Sequence, residues 1–157
     1  MKKSFAILIA LLIAFTFSSC GSNDKYDDNH TVTLKNTENH KDITIEFEHK
    51  GDDITKLSQK EIISFESLGV DNADDAKALL DSKVDMMPSI KGYENKIKVT
   101  ENHVVETIEI DFKNIDADEI NEIPGLSFIG EPNKNISLEQ SIKELKKSGF
   151  EEVDEKK

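Results

Sequence analysis

Arginine and tryptophan are absent from this chain, cysteine occurs once, and glycine and proline are sparse. Each shortage removes a class of function. With 32 acidic residues against 20 basic ones, all lysine, the formal net charge is -12. Binding to phosphate backbones rests on clustered Lys and Arg, so nucleic acid is excluded as an expected partner. Abundant Lys, Asn and Ile without Arg is the composition of an AT-rich genome and carries no chemistry of its own. A lone cysteine forms no disulfide within the chain, so the core is held by apolar packing. The seven glycines form neither a phosphate-cradling loop nor a Gly-x-Ser-x-Gly nucleophile elbow. Long apolar runs are missing too, because the stretch from Phe5 to Phe17 falls short of the about 20 residues a membrane-crossing helix needs.

That short run is informative in its own right. It follows Met1-Lys2-Lys3 and leads into Phe17-Ser18-Ser19-Cys20-Gly21. A cationic start, an apolar stretch and small residues before a cleavage point compose a secretory signal peptide. A cysteine directly after the small residues makes it the lipobox of a lipoprotein, with Phe17 where such signals usually carry leucine. The expectation is a diacylglyceryl group on the Cys20 thiol, with acyl chains of the palmitate type. Cleavage between Ser19 and Cys20 follows. The mature chain then sits on the extracytoplasmic face of the cell membrane, held by its lipid. Loss of Lys2 and Lys3 makes it more acidic still.

Three segments are expected: the signal peptide over 1–19, the lipidated cysteine with a polar tether over 20–42, and one folded domain over 43–157. The tether reading rests on the turn-rich stretch from Gly21 to Asp42, whose composition buries too little to fold. Within it, Thr31-Val32-Thr33-Leu34 is a candidate short edge strand. Ten disordered residues would lift the domain by at most about 35 Å.

Ile43-Thr44-Ile45-Glu46-Phe47-Glu48 alternates with period two and predicts a strand with one face on a core. Turn chemistry at His49-Lys50-Gly51-Asp52-Asp53 leads to a second extended run from Ile54 to Ser67, whose change of apolar parity predicts a bulge. Asp71 or Asn72 caps a helix with Ala73, Ala76, Leu79, Leu80, Val84 and Met87 on one stripe, ended by Pro88. A second hairpin runs from Tyr93 to Thr100 and from Val104 to Phe112. Asp116 with Glu119, and Ser137 with Gln140, resemble capping boxes; the first precedes a short helix with Ile120 and Ile123, the second a helix with Leu138, Ile142 and Leu145 buried. Gly149 ends that helix in a left-handed turn, with Phe150 meeting Leu145. The fold class is α+β in two layers, an antiparallel sheet of about four strands with helices on one face.

Candidate chemistry centres on outward-facing acids: Glu46 and Glu48 on the first strand, Glu109 and Asp111 on the fourth. Lys56, Lys60, Lys96 and Lys98 fall on the same outer face. Cross-strand ion pairs worth roughly 0.2–1 kcal/mol each account for the pattern without a ligand. His30, His40, His49 and His103 show no zinc-type spacing and read as solvated loop residues. Asp71, Asp74 and Asp75 suit a helix N-terminus and lack calcium-loop spacing. Met86 and Met87 read as core filler. No catalytic residue, metal site or cofactor is expected. Three functions stay open. The first is a non-catalytic binding or accessory module of the cell envelope, taking a protein or small ligand. The second is a carboxylate-dependent enzyme acting on an exported or cell-wall substrate, and the third is a ligand groove near Phe128, Leu145 and Phe150.

The residues His49-Lys50-Gly51-Asp52-Asp53-Ile54-Thr55-Lys56, Ile90-Lys91-Gly92-Tyr93, and Ile136-Ser137-Leu138 through Gly149-Phe150 carry a resemblance to the YehR-like small lipoproteins, a family of unknown function. The resemblance spans about Ile43 to Val153. It implies a small α+β domain on the outer surface of a membrane, and supplies no functional position besides Cys20.

Overall fold

The structure, a computed structural model, describes residues 13–16, 31–38, 41–84, 88–116, 119, 123, 126–129 and 136–153. In chain order the elements are β1 (Ile13–Thr16), β2 (Thr31–Glu38), β3 (Lys41–Lys50), β4 (Asp53–Ser64), α1 (Phe65–Leu68), α2 (Ala73–Val84), β5 (Tyr93–Val99), β6 (His103–Asp111), β7 (Leu126–Ile129), α3 (Leu138–Lys147) and β8 (Glu151–Val153). Six strands form one sheet in the order β5-β6-β4-β3-β2-β8. Every pairing in it is antiparallel. A separate parallel ribbon joins β1 to β7.

The expected sheet of about four strands is therefore too small. Both predicted hairpins are present, and β4 joins them by pairing with β6. The two added strands come from segments of weak pattern. Thr31–Glu38, placed in the tether over 20–42, pairs along its whole length with β3, so the folded part begins ahead of residue 43. Glu151–Val153 closes the far edge against Thr33–Lys35. The candidate edge strand Thr31-Val32-Thr33-Leu34 is the start of the first, which runs on to Glu38, whereas Glu151–Val153 has no strand pattern of its own and is ordered by the neighbour it pairs with.

Period-two alternation dictates the two faces. On β3, Ile45, Phe47 and His49 are buried while Glu46, Glu48 and Lys50 are exposed. The parity change anticipated in β4 is a bulge: Glu48 faces Lys56 but His49 faces Ile54, leaving Thr55 as the extra residue. It lets Ile54 and Leu57 both reach the interior.

The interior holds two apolar clusters. The larger gathers Leu34, Ile45, Phe47, Leu57, Ile108 and Ile110 of the sheet with Leu138, Ile142 and Leu145 of α3 and with Phe150. The smaller joins Ile63 and Val104 to Ala76 and Leu80 of α2. Helix α2 starts where Asn72 Oδ1 accepts from the backbone N–H of Asp74 and Asp75 at 2.9 and 3.0 Å. Met86, Met87 and most of the predicted helix after Asp116 lie outside the described residues. Among those described, Ile123 is buried, and no helix is long and apolar enough to cross a membrane.

Helix α3 ends as its sequence predicts. Gly149 takes φ 86°, and the N–H groups of Phe150 and Gly149 donate to Leu145 and Lys146 carbonyls at 3.0 and 3.2 Å, the paired bonds of a Schellman motif. Its N-terminus is stapled to the β3–β4 turn. Ser137 Oγ accepts from Gln140 N at 3.3 Å and donates to Asp52 Oδ2 at 2.7 Å, while Asp52 Oδ1 accepts from Glu139 N at 2.8 Å. The Asp52 carbonyl accepts from Leu138 N as well. Asp52 thus acts as a second cap, supplied by a residue remote in sequence. Asp52→Ala is expected to lower stability by about 1–2 kcal/mol, the usual cost of a lost cap, read as a lower urea midpoint at unchanged m-value.

Candidate functional site

The outer face of the six-stranded sheet carries a cleft of about 740 Å³ lined by Thr31, Glu46, Glu48, Lys56, Leu57, Ser58, Gly92, Tyr93, Glu94, Glu109, Ile110 and Asp111. All four acids singled out from the sequence line this one cleft. They share it because β4 pairs with β6, which brings the first and second hairpins side by side. Glu94 joins them as a fifth carboxylate, beside a single ammonium, that of Lys56.

Register fixes who faces whom. One cross-strand row reads Thr31, Glu48, Lys56, Asp111. There Lys56 Nζ lies 3.2 Å from Glu48 Oε2, with both side chains about half exposed. The next row reads Thr33, Glu46, Ser58, Glu109, Glu94. The row beyond is Lys35, Thr44, Lys60, Thr107, Lys96. The expected alternation of acid against lysine therefore holds around Lys56, which faces Glu48 on one side and Asp111 on the other, and fails for Glu46 and Glu109, which both face Ser58. The turn at Thr100–His103 sets Val99 opposite Val104, and this register puts Glu94 against Glu109 and leaves Lys96 facing Thr107. Like charges directly opposite repel. Lys96 moderates this from its own strand, with Nζ 2.8 Å from Glu94 Oε1. The hydrogen bond that Lys96 donates to Glu94 raises the Lys96 pKa.

At the cleft rim, Asn114 Nδ2 donates to Asp111 Oδ2 at 2.8 Å and holds the Asp111 carboxyl below its ordinary range. Lys113 N donates to the other oxygen at 3.0 Å. The Tyr93 phenol is pushed up by burial and stays protonated at neutral pH. Gly92 has φ 85°, and its carbonyl accepts from Asp111 N at 2.7 Å. This close approach is why the segment Ile90-Lys91-Gly92-Tyr93 needs glycine at its third position.

Two further carboxylates lie on the opposite, inner face. Glu61 and Glu106 are cross-strand partners on β4 and β6, and are 3% and 1% exposed. Lys41 Nζ sits 2.9 Å from Glu61 Oε1, and Asn95 Nδ2 donates to Glu106 Oε1 at 2.8 Å. With Gln59 they form a polar stripe between the two apolar clusters. The signal was present in the parity: Glu61 alternates with Leu57 and Ile63, and Glu106 with Val104, Ile108 and Ile110. Charge normally marks the outer face, so parity is the only sign of their burial in the sequence.

The histidine reading also needs correction. His49 is 4% exposed on the inner face of β3, with Nδ1 2.9 Å from the Gly51 carbonyl, which calls for the proton on Nδ1. The unbroken alternation of β3 carries it inward after Ile45 and Phe47. His103 is half-buried at the start of β6, and His30 and His40 lie outside the described residues. So do Ser19 and Cys20. Leu145 and Phe150 are sealed in the larger cluster, so no open groove lies at those two side chains. Among the described residues no group of three His, Cys, Asp or Glu is arranged to hold a metal ion.

Comparison with known proteins is consistent across sequence and fold. Residues 30–151 match the model of a family described as a protein of unknown function, DUF1307. The chain is 33% identical over 153 residues to the uncharacterized lipoprotein Lmo0207 of Listeria monocytogenes, covering 98% of this chain and 97% of the other. It is 28% identical over 153 residues to the uncharacterized lipoprotein YehR of Escherichia coli, covering 97% of each. The NMR structure of E. coli YehR superposes with a TM-score of 0.64 at 26% identity, over 83% of this chain and 95% of that one. A Streptococcus pneumoniae protein solved by NMR, 14% identical with a TM-score of 0.54 over 87% and 93% of the chains, shares the fold. Matched over nearly its whole folded length, and similar in sequence and fold to YehR, this chain belongs to the DUF1307 family of YehR-like proteins of unknown function.

Proposed function

We propose that this protein is a lipoprotein anchored through Cys20 on the extracytoplasmic face of the cell membrane, and that its domain is a non-catalytic binding module of the envelope. Its relatives are named lipoproteins, and its own Cys20 follows small residues and an apolar run, the context of a lipobox. The outer-face cleft is the binding surface, and a cationic group of an envelope protein or small ligand is the partner. The observation that carries this is the lining itself, five carboxylates around one ammonium on a sheet face where Glu48 and Glu94 remain more than half exposed.

The alternative is a carboxylate-dependent enzyme. General acid catalysis needs a carboxyl kept protonated near neutral pH while its partner stays ionised. Asp111 is pushed in the opposite direction, and Glu48 is engaged by Lys56. Both features favour binding over turnover.

Titration of the full chain with a fluorescent oligolysine probe tests the cleft. Glu46→Gln with Glu109→Gln is expected to weaken binding about tenfold, or 1.4 kcal/mol. Removing two exposed acids elsewhere, Asp71→Asn with Glu101→Gln, is expected to change it less than about twofold at 0.15 M salt, where distant charges are screened. Equal losses in the two variants would mean that general acidity, and not the cleft, attracts the probe.

A further inference from the structure

The outer face of the six-stranded sheet is split by charge along its strands. The two rows that line the cleft hold Glu46, Glu48, Glu94, Glu109 and Asp111 with one cation, Lys56. The next two rows hold Lys35, Lys60, Lys96 and Lys98 with one acid, Asp42. Lys96 is engaged by Glu94, whereas Lys35, Lys60 and Lys98 are exposed and make no salt bridge among the described residues. Both apolar clusters, with α2 and α3, lie on the opposite face.

Such a face is complementary to itself in one orientation. Rotation by a half-turn about an axis along the rows, midway between the acidic and the lysine pair, lays acidic rows on lysine rows, whereas an axis along the strands lays acid on acid. In the first arrangement each strand meets its own copy reversed. Lys60 of one molecule then stands over Ser58 of the other, between its Glu46 and Glu109, and Lys35 stands over Thr33 beside Glu46. The two exceptions also match, because Asp42 falls over the ion pair of Glu48 with Lys56.

We propose that two copies of this chain stack through their outer faces in this isologous way, each placing Lys60 in the other's cleft. This rests on the cation-binding reading of the cleft, and it names the cation. Anchoring allows the reversed arrangement. Turning one copy over raises its Thr31 by six residues of strand, about 20 Å, and the eleven chain steps from Cys20 to Thr31 reach up to about 40 Å. Five strands at about 4.8 Å by four rows at about 6.8 Å give roughly 650 Å² per copy, short of the about 800 Å² of a stable interface. Association therefore belongs to the membrane, where a common anchor raises the effective concentration.

The acylated protein, fused at its C-terminus to a fluorescent donor or acceptor, is reconstituted in neutral phosphatidylcholine vesicles, and energy transfer is followed against surface density. Wild type is expected to give saturable transfer that weakens with salt. Lys35→Glu with Lys60→Glu, and Glu46→Lys with Glu109→Lys, are each expected to associate about tenfold more weakly, because like charges then face each other. Mixing the two variants is expected to restore transfer. Both keep a net negative charge, starting from the formal -12, so bulk attraction does not mimic the rescue. A second measurement decides the matter if a swapped variant fails to fold. Ser58→Cys supplies the one free thiol once Cys20 is acylated, and a bismaleimide spanning about 12 Å is expected to link two copies through it, while Asp74→Cys on α2 is expected not to link. Wild-type copies that stay apart, folded variants that do not rescue each other, or equal linking through both thiols would overturn the proposal. If wild-type copies stay apart while oligolysine still binds through Glu46 and Glu109, a foreign cation is the occupant and the cleft reading stands alone; oligolysine binding indifferent to those acids removes both.

Discussion

Gly92→Ala is expected to lower the free energy of unfolding by roughly 2–5 kcal/mol. About 1–2 kcal/mol comes from forcing a side chain into left-handed backbone, and about 1–3 from overpacking. The geometry leaves no escape. A Cβ at Gly92 (φ +85°) would lie 2.8 Å from Ile115 N, 3.0 Å from the Asp111 carbonyl oxygen and 3.1 Å from the Asn114 carbonyl carbon. All three are backbone atoms of the turn that closes β6 onto β5, so relief requires moving the chain. Gly69 supplies the control. Its φ is +68° with nothing within 4 Å of the added atom, so Gly69→Ala is expected to cost only the backbone share, about 1–2 kcal/mol. Urea unfolding followed by circular dichroism separates the two, and a midpoint for Gly92→Ala no lower than that for Gly69→Ala would show that the turn yields. The same turn carries Asn114 and Asp111, so a surviving variant should also show a weaker acid limb. Asp111 has a lowered folded pKa, which contributes stability above its unfolded value near 3.8 that is lost as pH falls through the folded value.

Cys20→Ala is expected to abolish acylation and membrane retention together. Each buried methylene of an acyl chain contributes about 0.8 kcal/mol, and two chains hold stably where one is marginal. Among the described residues no helix is long and apolar enough to replace them. The chain's formal charge of -12 opposes adsorption to an anionic leaflet, and the apolar run from Phe5 to Phe17 is too short to span. Mass spectrometry of the wild-type protein should give an acylated N-terminal peptide beginning at Cys20, with the protein in the membrane fraction. The variant should give an unmodified chain in the soluble fraction. A variant that stays in the membrane fraction would assign its anchoring to something other than lipid.

Much of the local structure was legible because it is encoded locally. The Gly51 turn, the Asn72 and Ser137 caps and the Gly149 stop depend on residues within a few positions of one another, and each stands where its sequence puts it. The alternation of β3 and β6 likewise named most of the core. Legibility failed wherever the deciding partner was distant. Thr31–Glu38 reads as tether with only a short candidate strand over 31–34, because its full length as a strand depends on β3 on one side and β8 on the other. Asp52 read as a turn residue because the helix it caps lies far along the chain. Glu61 and Glu106 carry no local sign of burial beyond their parity, and it is the distant Lys41 and Asn95 that make their burial tolerable. In the cleft the four acids were legible individually, but their meeting was not. That depends on β4 choosing β6, a pairing between hairpins that no local pattern encodes.

By itself, the sequence determined the chemistry available to this protein: no arginine for phosphate, no second sulfur for a disulfide, a cysteine in a lipobox context, an acidic α+β domain and the parity that sends apolar residues inward. Only the tertiary structure decided which of those residues act together. It set five carboxylates around one lysine on an open face, two more against each other inside, and Leu126–Ile129 beside Ile13–Thr16. The physical reason is range. Caps, turns and pleat are settled by the sterics and hydrogen bonds of neighbouring residues, whereas cross-strand register is a choice among distant segments that only the complete buried surface can rank.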